Sequence, residues 1–401
     1  MPDNIPELLA PAGNLNKLYA AFHFGADAVY IGGNRFSLRA FSDNFALEDI
    51  RTAVNFARSQ SKKVFVALNI FPRSGDFGAI REYMSALKDV KPDGIIIGDI
   101  GVLFNALKYI PEIPVHISTQ ANTTNADAVS FYKSLGVKRV VLARELTIDE
   151  IKEIKDAVDG IELECFVHGA MCISYSGRCL LSNYLADRDS NGGKCVQACR
   201  WEYRLKEMSS DKELSISEDS KGTYIMNSKD LCMIEHIAEL IKAGADSFKI
   251  EGRMKSEYYV GSVVNAYRRA LDAYRVGQRA DEKLLDELKK VGNRGYTTGF
   301  YLKENDHINT LSSKTQGENT FVAEVSGYDE EKGAVIAEQR NRFKKGDVLE
   351  VLSPDGNFLK KLTVDYMYGA DGETVDDALR VQQTIYIKTD LKLKKHDILR
   401  K

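Results

Sequence analysis

The chain has 401 residues, of which 44% are hydrophobic and 28% are charged, and its formal net charge at pH 7 is -3. These values are typical of a globular protein of two or three domains and exclude a chain that is basic throughout, so a nucleic-acid partner would need a local basic surface. The N-terminus lacks a signal-peptide pattern, and no stretch reaches the roughly 20 apolar residues of a membrane span. We therefore expect a cytoplasmic protein with no membrane partner.

The first half of the chain alternates short apolar runs with amphipathic stretches. Strands are predicted at residues 7–10, 28–31, 64–68, 94–97, 115–118, 139–142 and 163–167, and helices at 15–24, 47–59, 79–87, 102–109, 126–135 and 148–157. Continuous apolar strands rich in Val and Ile are typical of a parallel sheet that is buried on both faces. With residues 247–250 as an eighth strand, the pattern predicts an α/β fold, a TIM-like (β/α) barrel. A doubly wound open sheet is the alternative.

Polar residues follow several of these strands. They include Asn69, Asp99, Gln120, Arg144, His168, Glu251 and Arg253. In parallel α/β folds the carboxyl ends of the strands line the active face, so we take Arg144, His168, Glu251 and Arg253 as candidates for substrate contacts. Helix capping is the alternative role for any one of these residues.

A cysteine-rich insertion follows the seventh predicted strand. Four of the six cysteines of the chain lie there: Cys172, Cys179, Cys195 and Cys199. In a reducing compartment such a cluster favours metal ligation over disulfides. Arg178, Lys194 and Arg200 flank three of the thiols and favour the thiolate form.

Four thiols are a complete ligand set for zinc or for an iron–sulfur cluster. The six residues between Cys172 and Cys179 exceed the usual spacing of a zinc pair, which favours an iron–sulfur cluster. Burial of the cysteines as small hydrophobic residues is the third alternative. Cys165 lies in an apolar strand and is assigned to the core, whereas Cys232, predicted to start a helix, remains a substitute ligand.

After residue 293 the sequence pattern changes from amphipathic helices to short alternating strands. Helices are predicted at 231–243, 257–275 and 281–291, and short alternating strands follow at 321–325, 334–338, 347–351, 359–364 and 384–388. Turn residues separate these strands, which predicts a small β-barrel or sandwich. We therefore divide the chain into residues 1–311, a TIM-like catalytic domain that carries the cysteine-rich insertion, and residues 312–401, a C-terminal β-barrel domain.

Several segments carry a family resemblance. They read LLAPAGNLNKLYAAFHFGADAVYIGG near the start, ECFVHGAMCISYSGRCLLSNY at residues 164–184, then GKCVQACRWEY, NSKDLC, SFKIEGRMKSEYYV and NRGYTTGF. The chain resembles peptidase family U32, the collagenase-like proteins, over roughly residues 5–305, and its tail resembles the small C-terminal β-barrel domain of that family. The match is closest to the branch that hydroxylates tRNA.

This resemblance implies an oxygen-independent hydroxylase that converts the wobble uridine of tRNA to 5-hydroxyuridine. It implies a 4Fe-4S cluster with Cys172, Cys179 and Cys195 as ligands, Cys199 as the fourth and Cys232 as its runner-up. It also implies prephenate as co-substrate, tRNA as partner, and a homo- or hetero-dimer with a related family member. Arg144, His168, Glu251 and Arg253 are then candidates for contacts with RNA or prephenate, while the catalytic residues are unassigned.

Two other functions remain open. A U32-type peptidase is the first alternative. Ser174 or Ser176 could pair with His168 as a catalytic dyad, but sequence spacing alone gives no support for that pairing. An RNA-binding protein with a structural metal site is the second, in which lysines of the C-terminal domain would contact phosphate. Acidic residues are interspersed with those lysines, so a solvated surface is an equal explanation.

Overall fold

The computed structural model describes residues 5–38, 44–201, 218–219, 222–223, 228–303, 317 and 319–401. The predicted boundary between residues 311 and 312 lies outside these ranges. In the described residues, the strands before the C-terminal domain are β1 (Glu7–Pro11), β2 (Ala28–Gly32), β3 (Lys63–Leu68), β4 (Gly94–Ile97), β5 (Val115–Ile117), β6 (Arg139–Val141), β7 (Glu162–Ala170), β8 (Glu218–Asp219), β9 (Gly222–Thr223), β10 (Asp230–Cys232), β11 (Ser247–Ile250) and β12 (Tyr296–Thr297).

Helices follow most of the first strands, as the amphipathic pattern predicts. They are α1 (Leu15–His23), α2 (Leu47–Ser59), α3 (Phe77–Val90), α4 (Ile100–Tyr109), α5 (Ala126–Ser134), α6 (Ile148–Ala157), α7 (Leu181–Ala186), α8 (Ile237–Lys242), α9 (Glu257–Arg275) and α10 (Lys283–Lys289). Short polar residues fix several helix starts. Asn14 accepts the Lys17 N–H at the start of α1, and Asp99 accepts the Val102 N–H at the start of α4, each at 3.0 Å. Asp99, one of the polar residues at strand ends, is therefore a helix cap.

The parallel sheet closes on itself. Strands β1 to β7 pair in chain order, each parallel to the next. Strand β11 then pairs with both ends of this series, because Ser247 is in register with Glu7 on one side and with Glu164 on the other. The result is an eight-stranded parallel barrel, which confirms the TIM-like prediction. The doubly wound alternative is wrong, since an open sheet would leave β1 and β7 unconnected.

One predicted helix is partly wrong. Residues 231–243 contain strand β10, a turn, and the shorter helix α8. Strand β10 pairs antiparallel with the end of β7, where Cys232 is opposite His168, and parallel with β12. A short apolar run fits a strand or a helix equally well, and here pairing with β7 decides for the strand. Cys232 therefore ends a strand and does not start a helix.

A buried network of charges fills the barrel near the amino ends of its strands. The Arg139 guanidinium contacts Glu7 at 2.7 Å, Glu162 at 2.6 Å and Glu164 at 2.9 Å. The other carboxylate oxygen of Glu164 accepts the Lys249 ammonium at 2.7 Å. Burial by itself would raise the pKa of Glu164, but Lys249 and Arg139 outweigh it and hold the pKa at about 2. Each buried charge thus has a partner of opposite charge, and this pairing offsets the cost of removing the charge from water.

The C-terminal domain is an antiparallel β structure with its own apolar core. Its strands are β13 (Phe321–Asp329), β14 (Ala334–Gln339), β15 (Phe343–Lys344), β16 (Val348–Leu352), β17 (Lys361–Thr363), β18 (Met367–Gly369), β19 (Asp377–Ala378), β20 (Thr384–Lys388) and β21 (Ile398–Arg400). Seven of them form a sheet in the order β17-β16-β21-β13-β14-β20-β18, and β15 pairs with β19. A small all-β domain at the C-terminus is therefore confirmed.

The two domains share a buried contact. Arg400 of β21 is fully buried, and its guanidinium pairs with Glu287 of α10 and with Glu350 of β16. The Tyr258 and Phe321 rings stack across the same boundary at 5.8 Å. These contacts fix the β domain against the outer helices of the barrel. No helix in the described ranges is long and apolar enough to span a membrane.

Candidate active site

A cavity opens at the carboxyl ends of the barrel strands. Its volume is about 550 Å³, including solvent at its mouth. The lining side chains come from the barrel strands and from the loops that follow them: Tyr30, Leu38, Ala67, Asn69, Ile96, Ser118, Thr119, Gln120, Val141, Arg144, Phe166, Lys249, Glu251 and Arg253. This is the position at which TIM barrels place their active sites. Arg144, Glu251 and Arg253, predicted from sequence, meet here.

Three cations line the cavity. The Arg144 guanidinium is 4.5 Å from the centre of the Phe166 ring, and its Nη1 donates to the Ala170 carbonyl at 2.9 Å. The Arg253 guanidinium donates to the Leu38 carbonyl. The Lys249 ammonium is 4.5 Å from the centre of the Tyr30 ring. With Glu251 as the one carboxylate among these described lining residues, the cavity is suited to a ligand that carries carboxylates.

Lys249 connects this cavity to the charged barrel interior. The residue is buried, and burial lowers the pKa of its ammonium although Glu164 opposes that shift. A buried ammonium needs an opposite charge beside it. Such pairing is present, because Glu164 accepts from Nζ. The strand also turns this side chain toward the cavity, a direction that the sequence alone did not reveal.

Arg253 depends on a glycine for its position. A Cβ atom on Gly32 would overlap Nη1 of Arg253. Gly32 therefore makes room for the Arg253 guanidinium. The close approach links the end of β2 to the loop after β11.

The structure places His168 outside the cavity. Its ring is buried among three tyrosines, Tyr259, Tyr267 and Tyr296, with ring centres 5.3 to 6.1 Å away. Burial, assisted by the positive charge of Lys255, lowers the pKa of His168 to about 3, so the imidazole is neutral at pH 7. The backbone of His168 still contributes to the site, because its carbonyl accepts the Glu251 N–H at 2.8 Å.

Buried neutral histidines predict a dependence of stability on pH. His116 resembles His168, since burial followed by Arg139 lowers its pKa to about 3. Below pH 6.5 the unfolded chain binds protons at both residues and the folded chain does not. The free energy of unfolding should therefore fall as the pH drops from about 6.5 toward 3, by at most about 1.4 kcal/mol per pH unit for each histidine.

This dependence can be measured by urea unfolding between about pH 7 and about pH 5. In that range the free energy of unfolding should depend less on pH in His168→Gln than in the wild type, whatever the stability of the variant at neutral pH. His236→Gln, a change at a half-buried histidine beside Glu239 on the outer surface, is the matched control and should keep the slope. Equal slopes in the wild type and His168→Gln would contradict the prediction.

The cysteine segment, which we define as residues 172–199, lies over the rim of the cavity. The loops after β3 and β5 hold it there. The Asn122 amide donates to the Tyr175 carbonyl at 3.2 Å, and Nε of Arg178 donates to the Gln120 carbonyl at 2.8 Å. The Phe71 N–H donates to the Asn191 carbonyl at 3.2 Å. Thiols and cavity thus belong to one region of the molecule.

Glu145 clamps the loop between Cys172 and Cys179. Its two carboxylate oxygens accept from the Ser176 N–H at 2.5 Å and from the Ser176 hydroxyl at 2.6 Å. Ser176 is buried and has a φ of 42°, a left-handed conformation that is rare for residues other than glycine. The clamp therefore holds a strained turn in place, and Glu145 directly follows Arg144 of the cavity.

Removal of this clamp should loosen the cysteine loop. In Glu145→Ala both Ser176 donors lose their acceptor, which should cost about 1–3 kcal/mol of local stability. Hydrogen exchange of residues 172–179, followed by mass spectrometry, should become faster. Glu153→Ala, which removes an exposed carboxylate on α6, should leave this exchange unchanged. Unaltered exchange in Glu145→Ala would refute the clamp.

The donor atoms around the thiols suit an iron–sulfur cluster. All six cysteines are present as thiols, and the four of the cysteine segment are partly exposed. Sγ of Cys179 accepts the Leu181 N–H at 3.4 Å, and Sγ of Cys195 accepts the Gln197 N–H at 3.4 Å. Hydrogen bonds to sulfur are one means by which proteins tune the potential of such clusters. The chemistry of the four residues therefore fits the predicted group.

The full ligand set stays a prediction. Within the described ranges, no three His, Cys, Asp or Glu side chains have the spacing of a metal site. The runner-up Cys232 is buried at the end of β10, and burial raises the pKa of its thiol to about 12. Burial likewise raises the pKa of Cys165 in β7. A thiol that resists ionisation is a poor ligand, which favours Cys199 over Cys232.

Family models of known proteins match two consecutive parts of the chain. Residues 13–311 match the model of peptidase family U32, and residues 318–400 match the model of the peptidase family U32 C-terminal domain. The chain is 42% identical to tRNA hydroxylation protein P1 of Bacillus subtilis, over 99% of this chain and 94% of the relative. It is 37% identical to tRNA hydroxylation protein P of Escherichia coli, over 95% and 93%. It is 31% identical to a collagenase of Porphyromonas gingivalis, over 94% and 93%. The chain belongs to peptidase family U32.

Proposed function

We propose that this protein hydroxylates the wobble uridine of tRNA to 5-hydroxyuridine without molecular oxygen, using a 4Fe-4S cluster and prephenate. The observation that carries the proposal is the cavity at the strand ends, which three cations line and to whose rim the thiol-bearing segment is tied. Two relatives named as tRNA hydroxylation proteins, which match nearly the whole chain, support the same reaction class.

Cys172, Cys179, Cys195 and Cys199 would hold the cluster, which supplies one-electron transfer when bound. The side chains of the cavity bind and orient the co-substrate. Arg144 and Arg253 offer planar guanidinium groups that suit carboxylates, and Lys249 adds a point charge beside Tyr30. Glu251 provides an acceptor for a hydroxyl or ring N–H of the substrate.

The reaction is tested in the host organism. Deletion of the gene, in a strain without a redundant pathway, should remove 5-hydroxyuridine derivatives from total tRNA, as measured by mass spectrometry of nucleosides. A plasmid that carries the wild-type gene should restore them, and one that carries Arg144→Gln should not. Unchanged 5-hydroxyuridine in the deletion strain would reject the proposal.

The alternative peptidase has one observation in its favour, the relative named collagenase. The described geometry gives it little chemical support. The Ser176 hydroxyl donates to Glu145, while the His168 ring is enclosed by tyrosines and lies outside the cavity. A serine nucleophile needs a base within hydrogen-bond reach, and this pair does not provide one. Peptide hydrolysis that survives Cys172→Ala and disappears in His168→Ala would favour the peptidase.

A further inference from the structure

We propose that a groove beside the cavity binds the unpaired nucleotides that flank the target base of the RNA substrate. This proposal rests on the proposed function, because it takes RNA as the substrate. The groove, which we call the α7 groove, lies between the loop after β3 and helix α7. Its principal lining residues are Phe71, Pro72, Arg73, Arg178, Leu180 and Asn183.

The groove presents apolar surface to solvent. Leu180 at its edge is 54% exposed, and the next turn of α7 carries Tyr184, which is 83% exposed, and Leu185, which is 47% exposed. Leu180 and Tyr184 are one helical turn apart, and exposed apolar side chains that lie together mark an interaction site. Unpaired bases stack on aromatic rings and guanidinium planes, so a patch of this composition fits single-stranded RNA.

The charge around the groove is opposite to that of RNA. Of the described residues that line the groove, Arg73 and Arg178 are cationic and Asp189 is a carboxylate, which gives +1. The whole chain carries -3. Local positive charge on an acidic protein supplies the phosphate contacts that anchor an RNA backbone.

The groove is connected to the cavity by contacts between their lining residues. The Arg178 guanidinium lies 5.0 Å from the centre of the Phe71 ring, and its Nε donates to the carbonyl of Gln120, which also lines the cavity. Asn69, another lining residue of the cavity, is two residues before Phe71. A base turned out of its stack into the cavity would therefore leave its neighbours at the α7 groove.

The test uses the full-length protein, purified without oxygen, and an unmodified transcript of a tRNA with uridine at the wobble position. Affinity is measured by fluorescence anisotropy at several salt concentrations. Tyr184→Ala should weaken binding about tenfold, because loss of one stacked base costs about 1–3 kcal/mol. Arg73→Gln should weaken binding about threefold to tenfold and reduce the salt dependence by about one phosphate contact.

Two control variants match these changes in residue type. Arg81→Gln removes an exposed charge from α3, and Tyr109→Ala removes a 44% exposed tyrosine from α4. Both should bind the transcript as the wild type does. If Tyr184→Ala and Arg73→Gln bind as tightly as these controls, the α7 groove is rejected while the hydroxylation stands. Equal weakening toward a fully paired RNA duplex would also reject the groove, because paired bases are not available for stacking.

A failure of the proposed hydroxylation can be distinguished from a failure of the α7 groove. If the deletion strain keeps its 5-hydroxyuridine while Tyr184→Ala and Arg73→Gln still weaken binding of the transcript, the groove is supported and the hydroxylation is rejected. Both affected residues are exposed and neither is a proposed thiol ligand. Because Tyr184 lies within the cysteine segment, iron per chain and circular dichroism are measured for each variant, and weaker binding counts for the groove only where both equal the wild type.

Discussion

Alanine at Cys172, Cys179 or Cys195 is expected to remove bound iron and to abolish formation of 5-hydroxyuridine, while the barrel stays folded. These thiols are partly exposed and lie on loops outside the apolar core, so their removal costs little stability. A four-cysteine cluster that loses a ligand loses affinity for its metal. Iron and acid-labile sulfide per chain, together with the visible spectrum of protein purified without oxygen, measure the effect. A colourless wild-type protein with stoichiometric zinc would contradict the prediction.

The same measurement decides the fourth ligand. Cys199→Ala should lose iron as the other three variants do. Cys232→Ala is the matched control and should keep its iron, because that thiol is buried beside Tyr267 and its pKa is raised to about 12. Loss of iron in Cys232→Ala, with retention in Cys199→Ala, would reverse the assignment.

A second large effect concerns the charges inside the barrel. Arg139→Met should destabilise the protein by about 3–5 kcal/mol, because it removes the buried cation that Glu164, Glu7 and Glu162 share. Glu164 is fully buried, and Glu7 and Glu162 are also within 2.9 Å of this guanidinium. The free energy of unfolding in urea, monitored by circular dichroism, measures the loss.

Lys138→Met is the matched control, one residue earlier in the chain. Lys138 pairs with Glu162 at 3.2 Å, but its side chain is 59% exposed. Exposed ion pairs contribute about 0–1 kcal/mol, so this variant should unfold close to the wild type. Similar losses in the two variants would show that burial does not govern the effect.

Much of the barrel could be predicted because two sequence signals indicate its strands. One is the apolar run of each strand, and the other is the amphipathic helix pattern between strands. Strand β4 and helices α2 and α9 were predicted with their observed bounds. The error at residues 231–243 has a physical cause. An apolar run as short as that of β10 has no period of its own, and its pairing with the end of β7 is a tertiary contact.

The candidate site was predicted in part. Arg144, Glu251 and Arg253 follow strands, and parallel strands bring their carboxyl ends together, so strand order alone places these residues in one cavity. His168 also follows that rule, yet its ring packs on Tyr267 of α9. The direction of a side chain at a strand end depends on local irregularity, and the register of β11 against β7 shifts next to His168.

The sequence by itself determined the alternating strands and helices of the first half, the β domain and the four thiols of the cysteine segment, because periodicity and residue type are local properties of a chain. Closure of the sheet into a barrel was decided by the pairing of β11 with β1 and β7. Only the tertiary structure decided which side chains share a space. Glu145 and Ser176 are thirty-one residues apart, and Lys249 and Glu164 are eighty-five apart. Such pairs leave no local pattern, since their energy arises from burial that many elements create together.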